Sequence, residues 1–105
     1  MEERRLAERY PAAVQAAIVS PNLFARILIR DISTSGARIE FLRSVALPET
    51  FRLRIPNCET LPAHVVWQEG TLAGICFSRT IRETTVLSLA QGPHAAALHH
   101  SPGWA

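Results

Sequence analysis

The sequence has no lysine. All eleven of its basic side chains are arginine, so its positive charge sits entirely on planar forks that match phosphate oxygens and the guanine edge. Net charge is small, +2 over 105 residues, too little to suggest a chain that coats a nucleic-acid polymer. Cysteine is scarce. Cys58 and Cys76 show neither a CxxC motif nor metal-ligand spacing, and both are expected to be reduced, Cys76 as a small residue within an apolar run. No apolar run approaches a membrane span, so no membrane insertion is expected. The N-terminus, Met1-Glu2-Glu3-Arg4-Arg5, is charged and no apolar segment of the signal-peptide kind follows it. A cytoplasmic protein is the resulting expectation. There is no internal repeat and no low-complexity tract. No nucleophile–base pair, catalytic-metal cluster or pair of carboxylates emerges, so the chain is not read as an enzyme, and no cofactor or metal is expected. His99-His100 has no third ligand nearby, and His64 reads as structural or as surface.

What the sequence does have is short hydrophobic periodicity. Hydrophobic residues make up 48% of the chain, enough for one core in one small domain. A helical turn is possible over 2–8, but Tyr10-Pro11 argues against its continuing. Strands are expected over 12–20, 23–30, 37–42, 51–55, 61–68 and 72–78, separated by turn signals such as Pro21-Asn22, Pro56-Asn57 and Glu69-Gly70. The cleanest is Phe51-Arg52-Leu53-Arg54-Ile55, apolar inward and arginine outward. Thr80-Ile81-Arg82-Glu83 has capping-box spacing and predicts a helix from there through Ala90, ended by Gly92-Pro93. Six short strands and one helix predict an all-β fold, a six-stranded antiparallel barrel with a C-terminal α-helix. Residues 1–11 read as a flexible arm, 12–91 as the barrel with its helix, and 92–105 as a mobile tail.

Two stretches draw attention. Asp31-Ile32-Ser33-Thr34-Ser35-Gly36 lies between the second and third strands. Taken alone it reads as an ordinary turn, with Asp and Ser capping backbone N–H groups and Gly36 supplying a positive φ. Arg5 and Arg9 stand four residues apart near the N-terminus; taken alone they read as a solvated charged helix turn.

In combination these stretches resemble the PilZ domain family, marked by an RxxxR motif ahead of a [D/N]xSxxG motif at a strand-to-strand turn. Both are complete here and in that order. Ala63-His64-Val65-Val66-Trp67 and Ala73-Gly74-Ile75-Cys76-Phe77 look like the family's late hairpin. The resemblance implies a barrel with a C-terminal helix that binds the bacterial second messenger cyclic di-GMP. It nominates Arg4, Arg5, Arg9, Asp31, Ser33 and Gly36 as ligand-binding residues. Arg38 and Trp67 are second-rank candidates. Arg38 reads first as a solvent-facing strand arginine. Trp67 reads equally as a neighbour of bound guanine and as an aromatic covering the barrel end.

The chemistry agrees. Arginine forks onto phosphate or onto guanine O6 and N7. Asp31 can accept from guanine N1–H and its amino group, Ser33 can donate or accept, and Gly36 lets ligand or arm come close to the backbone. The expected function is a single-domain cyclic di-GMP effector. Its arginine arm closes over ligand held on the turn and signals to a downstream protein partner. The alternative is a PilZ-like interaction module that does not bind nucleotide, although family members of that kind usually lack one or both motifs. A nucleic-acid-binding barrel is disfavoured by the low charge and by the lack of several exposed aromatics on one strand pair. Motility, biofilm matrix synthesis and virulence are the processes the resemblance suggests.

Overall fold

The structure, a computed structural model, describes residues 8–91. Six strands precede one helix: β1 (Tyr10–Ser20), β2 (Leu23–Ile32), β3 (Gly36–Phe41), β4 (Thr50–Arg54), β5 (Leu61–Glu69), β6 (Leu72–Phe77) and α1 (Glu83–Gln91). Every pairing is antiparallel. The strands close in the order β1-β2-β3-β6-β5-β4, with β4 returning to β1. The expected barrel and C-terminal helix are therefore present. Closure lets a domain this small avoid a bare sheet edge.

The period-two pattern sets the inside. Val14, Ala16 and Ile18 of β1 face the core, as do Ile27 and Ile29 of β2, Ala37 and Ile39 of β3, and Phe51 and Leu53 of β4. Arg52 and Arg54 point out. Ile18, Ile29, Ile39, Leu53 and Leu61 are all 0% exposed. Helix α1 packs against β1 and β2, and Ile81 and Val86 join the same core.

Some boundaries differ from the expectation. β1 begins at Tyr10 and takes in Pro11. Proline is tolerated there because β1 pairs with β4 only from Ala17 to Val19, so this end has β2 as its one neighbour. β2 runs on to Ile32, so the first two residues of the expected turn are strand. The helix begins at Glu83, not directly after Thr80. The reason lies in the backbone. The Ile81 N–H donates to the Thr34 carbonyl at 2.9 Å, which holds this stretch against the β2–β3 connection, while Thr85 and Val86 N–H groups bond to the Arg82 carbonyl. The capping box expected at Thr80 and Glu83 is thus replaced by docking of the chain. Gly92-Pro93, His99-His100, the tail 92–105 and, except for Glu8, the helical turn expected over 2–8 lie outside the described residues.

Truncating Leu53 to Ala should lower stability by about 2–5 kcal/mol, because the cavity is sealed by the closed sheet. Arg52→Ala on the outer face should stay within about 0.5 kcal/mol of the parent. Urea midpoints at equal slope check both.

Candidate functional site

The site is built on the β2–β3 turn, and Ser33 ties that turn from within. Its hydroxyl accepts from the N–H groups of Ser35 (3.2 Å) and Gly36 (3.1 Å) and lies 3.3 Å from both the Gly36 carbonyl and the Ser35 hydroxyl. Its own N–H donates to the Gly36 carbonyl at 2.8 Å. Ser33 is the buried polar residue of the core region, 2% exposed, and its satisfied hydroxyl is why that burial is tolerated. Two further carbonyls of the turn accept from outside it: Ser35 from Phe77 N–H at 2.8 Å and Thr34 from Ile81 N–H. One short loop therefore seats the end of β6 and the approach to α1.

Gly36 does not supply the positive φ expected of it; among described glycines only Gly70 has one. Its requirement is space. A Cβ at position 36 would lie 2.3 Å from the Ile75 carbonyl oxygen, so any side chain would push β3 off β6.

Asp31, the chain's single aspartate, is turned outward by a β-bulge. β2 pairs Ile29 with Ile39 and then Asp31 with Arg38, leaving Arg30 as the extra residue. Simple alternation from Ile27 and Ile29 would have placed the carboxylate inside the barrel. On the outer face it holds two arginines. Arg9 Nη1 donates to Oδ1 at 2.6 Å and Arg38 Nε to Oδ2 at 2.9 Å. The aspartate is 17% exposed and the arginines 57% and 44%, so one carboxylate is shared by two accessible cations. The three side chains together carry one net positive charge.

A second bulge brings an aromatic to the same face. β5 pairs Val65 with Ile75 and then Trp67 with Gly74. The indole, 41% exposed, lies over Gly74, where an added Cβ would meet its Nε1 at 2.2 Å. Gly74 pairs in turn with Arg38, so the ring reaches across β6 towards that arginine.

The base of the arm is fastened a second way. The Tyr10 hydroxyl donates to Glu83 Oε2 at 3.3 Å, joining the start of β1 to the start of α1. Partial burial first, then the negative charges of Glu8 and Glu83 and this hydrogen bond, raise the phenol above its ordinary pKa.

Of the residues singled out from sequence, Arg9, Asp31, Arg38 and Trp67 come together on one outer face. Ser33 and Gly36 lie beneath, as the frame of the turn. Arg4 and Arg5 are outside the described residues. Gly74 was missed as a site residue; the signal available was a glycine placed across a hairpin from the tryptophan. Cys58 and Cys76 are both free. Among the described residues no three His, Cys, Asp or Glu side chains gather as a metal site, and no helix is long and apolar enough to cross a membrane.

With this barrel and these motifs in view, the comparison with protein families is specific. The PilZ domain model matches residues 3–91. The chain belongs to the PilZ domain family, a family of cyclic di-GMP-binding modules. A comparison with curated proteins gave no match.

Two outcomes are expected. Gly74→Ala should displace the indole and cost about 1–3 kcal/mol, the usual penalty for overpacking. The loss should largely vanish when combined with Trp67→Ala, and a double-mutant cycle on urea midpoints measures this. Tyr10 is the sole tyrosine, so its absorbance titration reads one group. The midpoint should lie above that of free tyrosine and fall in Glu83→Gln. The sign follows from the raised pKa: this group's contribution to stability is complete below the unfolded chain's value and is lost as pH rises through the folded one.

Proposed function

We propose that the protein is a cyclic di-GMP receptor. Its ligand lies on the outer face at Asp31, Arg38 and Trp67, and the arm carrying Arg4, Arg5 and Arg9 closes over it. The observation that most supports this reading is the meeting of the two motifs: Arg9 and Asp31, 22 residues apart in sequence, are joined at 2.6 Å.

The ligand has two phosphates and two guanines. Arg4, Arg5, Arg9 and Arg38 supply forks for phosphate oxygens or for guanine O6 and N7. Asp31 accepts from N1–H and the amino group of one guanine. The Trp67 ring offers a flat face for stacking. Ser33 and Gly36 act through the shape of the turn that follows Asp31.

Binding is an exchange of partners. In the structure Asp31 holds Arg9 and Arg38. Each contact given up is an exposed pair worth about 0.2–1 kcal/mol. The ligand offers two phosphates and two guanine edges in their place, so more contacts form than are lost, and that difference in number offsets ordering of the arm. Closure of the arm changes the surface offered to a downstream partner, which makes the protein an effector.

Calorimetric titration with cyclic di-GMP tests this, with GMP and cyclic di-AMP as controls. Saturable binding is expected for cyclic di-GMP alone. Arg9→Ala should abolish it, and Arg38→Ala should weaken it about tenfold or more. The absence of heat and of any melting shift at high ligand concentration would overturn the receptor reading in favour of an interaction module.

A further inference from the structure

Away from the Asp31 cluster, the outer face of β4, β1, β2 and β3 carries a groove of about 920 Å3. A small residue forms its floor. Ala17 points outward from β1 yet is 8% exposed. Its cross-strand neighbours explain this: it pairs with Arg26 on β2 and with Arg54 on β4, and the two long stems wall it in. Leu28 lines the groove further along, and Phe24 and Leu42 line it as well. Phe24 is 59% exposed and Leu42 is 92% exposed.

The large exposed apolar side chains of the described residues are Phe24, Leu42, Val66 and Trp67. Trp67 belongs to the site above, whereas Phe24 and Leu42 stand together at this groove, unexplained by it. The charge is equally one-sided. Among the described residues, neither Arg26 nor Arg54 has a carboxylate within ion-pair distance. The one acid in the lining, Glu40, is engaged by Arg30 at 3.5 Å.

We infer that this groove is a docking surface for an acidic, amphipathic segment of a partner protein. Its apolar side chains lie on Phe24, Leu28 and Leu42, and its carboxylates meet Arg26 and Arg54. Charge complementarity selects this occupant. Two-fold association of the chain with itself would bring the Arg26–Arg54 pair against its own copy, a like-charge contact. A floor recessed between two arginine walls suits a single segment lying along it, the geometry of a helix in a groove, better than the flat surface of a bilayer. The groove and the Asp31 cluster are built on the same two strands, β2 and β3, with the Arg30–Glu40 pair between them.

The probe is a labelled synthetic helix of about four turns, leucine on one face and glutamate on the other. Its controls are a scrambled peptide of the same composition and a leucine–lysine counterpart. Fluorescence anisotropy with the full chain should show binding of the leucine–glutamate helix, at least about tenfold weaker binding of the scrambled peptide, and none of the lysine version. Arg26→Glu combined with Arg54→Glu, and separately Leu42→Ser, should each weaken binding about tenfold or more. The variants' melting temperatures and their response to cyclic di-GMP should match the parent's. Amide shifts of the unmodified chain give a check that needs no variant. Shifts at Ala17, Arg26 and Leu42 support the proposal; shifts confined to other residues overturn it. It is also overturned if the scrambled peptide binds equally or the variants bind like the parent. Two further results would do the same: phosphatidylglycerol vesicles engaging this face in place of the helix, or a dimer of the chain that Leu42→Ser dissolves.

Discussion

The hydroxyl of Ser33 is buried, and the β2–β3 turn keeps its shape around it. Accepting from two backbone N–H groups at once, it fixes the path of the chain from Asp31 to Gly36. From that path follow the close approach of the Ile75 carbonyl, which leaves no room for a side chain at position 36, and the seating of Phe77 and Ile81 on the turn's carbonyls. Barrel closure between β3 and β6, the entry to α1 and the geometry of the site share one support. A serine here is therefore a structural demand even where the ligand never touches it. An alanine would leave the buried Gly36 N–H and the part-buried Ser35 N–H without their acceptor, which costs more than a surface contact returns.

The outer face uses the two bulges to the same end. Both interrupt an inward alternation, and both turn out the residue that chemistry needs: a carboxylate on β2 and an indole on β5. Between them stand Arg38 and Gly74, paired across β3 and β6. A barrel face that would otherwise be plain pleat thus presents an anion, cations and an aromatic ring side by side. Bulges commonly re-aim side chains next to functional sites. Here they do so without disturbing the core, since Ile29, Ile32 and Ile39 remain 0% exposed.

Much of this was legible beforehand. Alternation in Phe51-Arg52-Leu53-Arg54-Ile55 and the spacing of turn residues predict the barrel, because period and punctuation are local properties. The family resemblance put Arg9 and Asp31 at one ligand site, but their direct pairing was not legible, since nothing local links positions so far apart. Arg38 reads as a solvent-facing strand residue because its partner, Asp31, reaches it only through a bulge that period-two reasoning cannot see. Gly74 escapes for the same reason: its contact with Trp67, itself a candidate from sequence, depends on register across β5 and β6. Gly36 misleads in a different way. A glycine after a polar turn suggests positive φ, yet the constraint comes from a strand nearly forty residues downstream. The late start of the helix has a similar origin, because Thr34's carbonyl claims the N–H that a capped helix would have left to water.

The fastening of α1 bears on how ligand could be sensed. Two contacts join the helix region to the site, and they are unequal. Tyr10 to Glu83 is a single 3.3 Å bond between side chains at the surface. Ile81 to Thr34 is a 2.9 Å backbone bond, backed by Ile81 and Val86 in the core. Withdrawing Arg9 from Asp31 would strain only the first, and a net hydrogen bond is worth about 0.5–1.5 kcal/mol. A coupling of that size shifts an equilibrium by about tenfold at most. It is too little to dislodge a helix held by buried apolar side chains, each worth about 1.5–3 kcal/mol. The seat of α1 therefore follows the turn and not the Arg9–Asp31 contact. A change confined to that contact would be read on the outer face around Asp31 and not in the position of the helix.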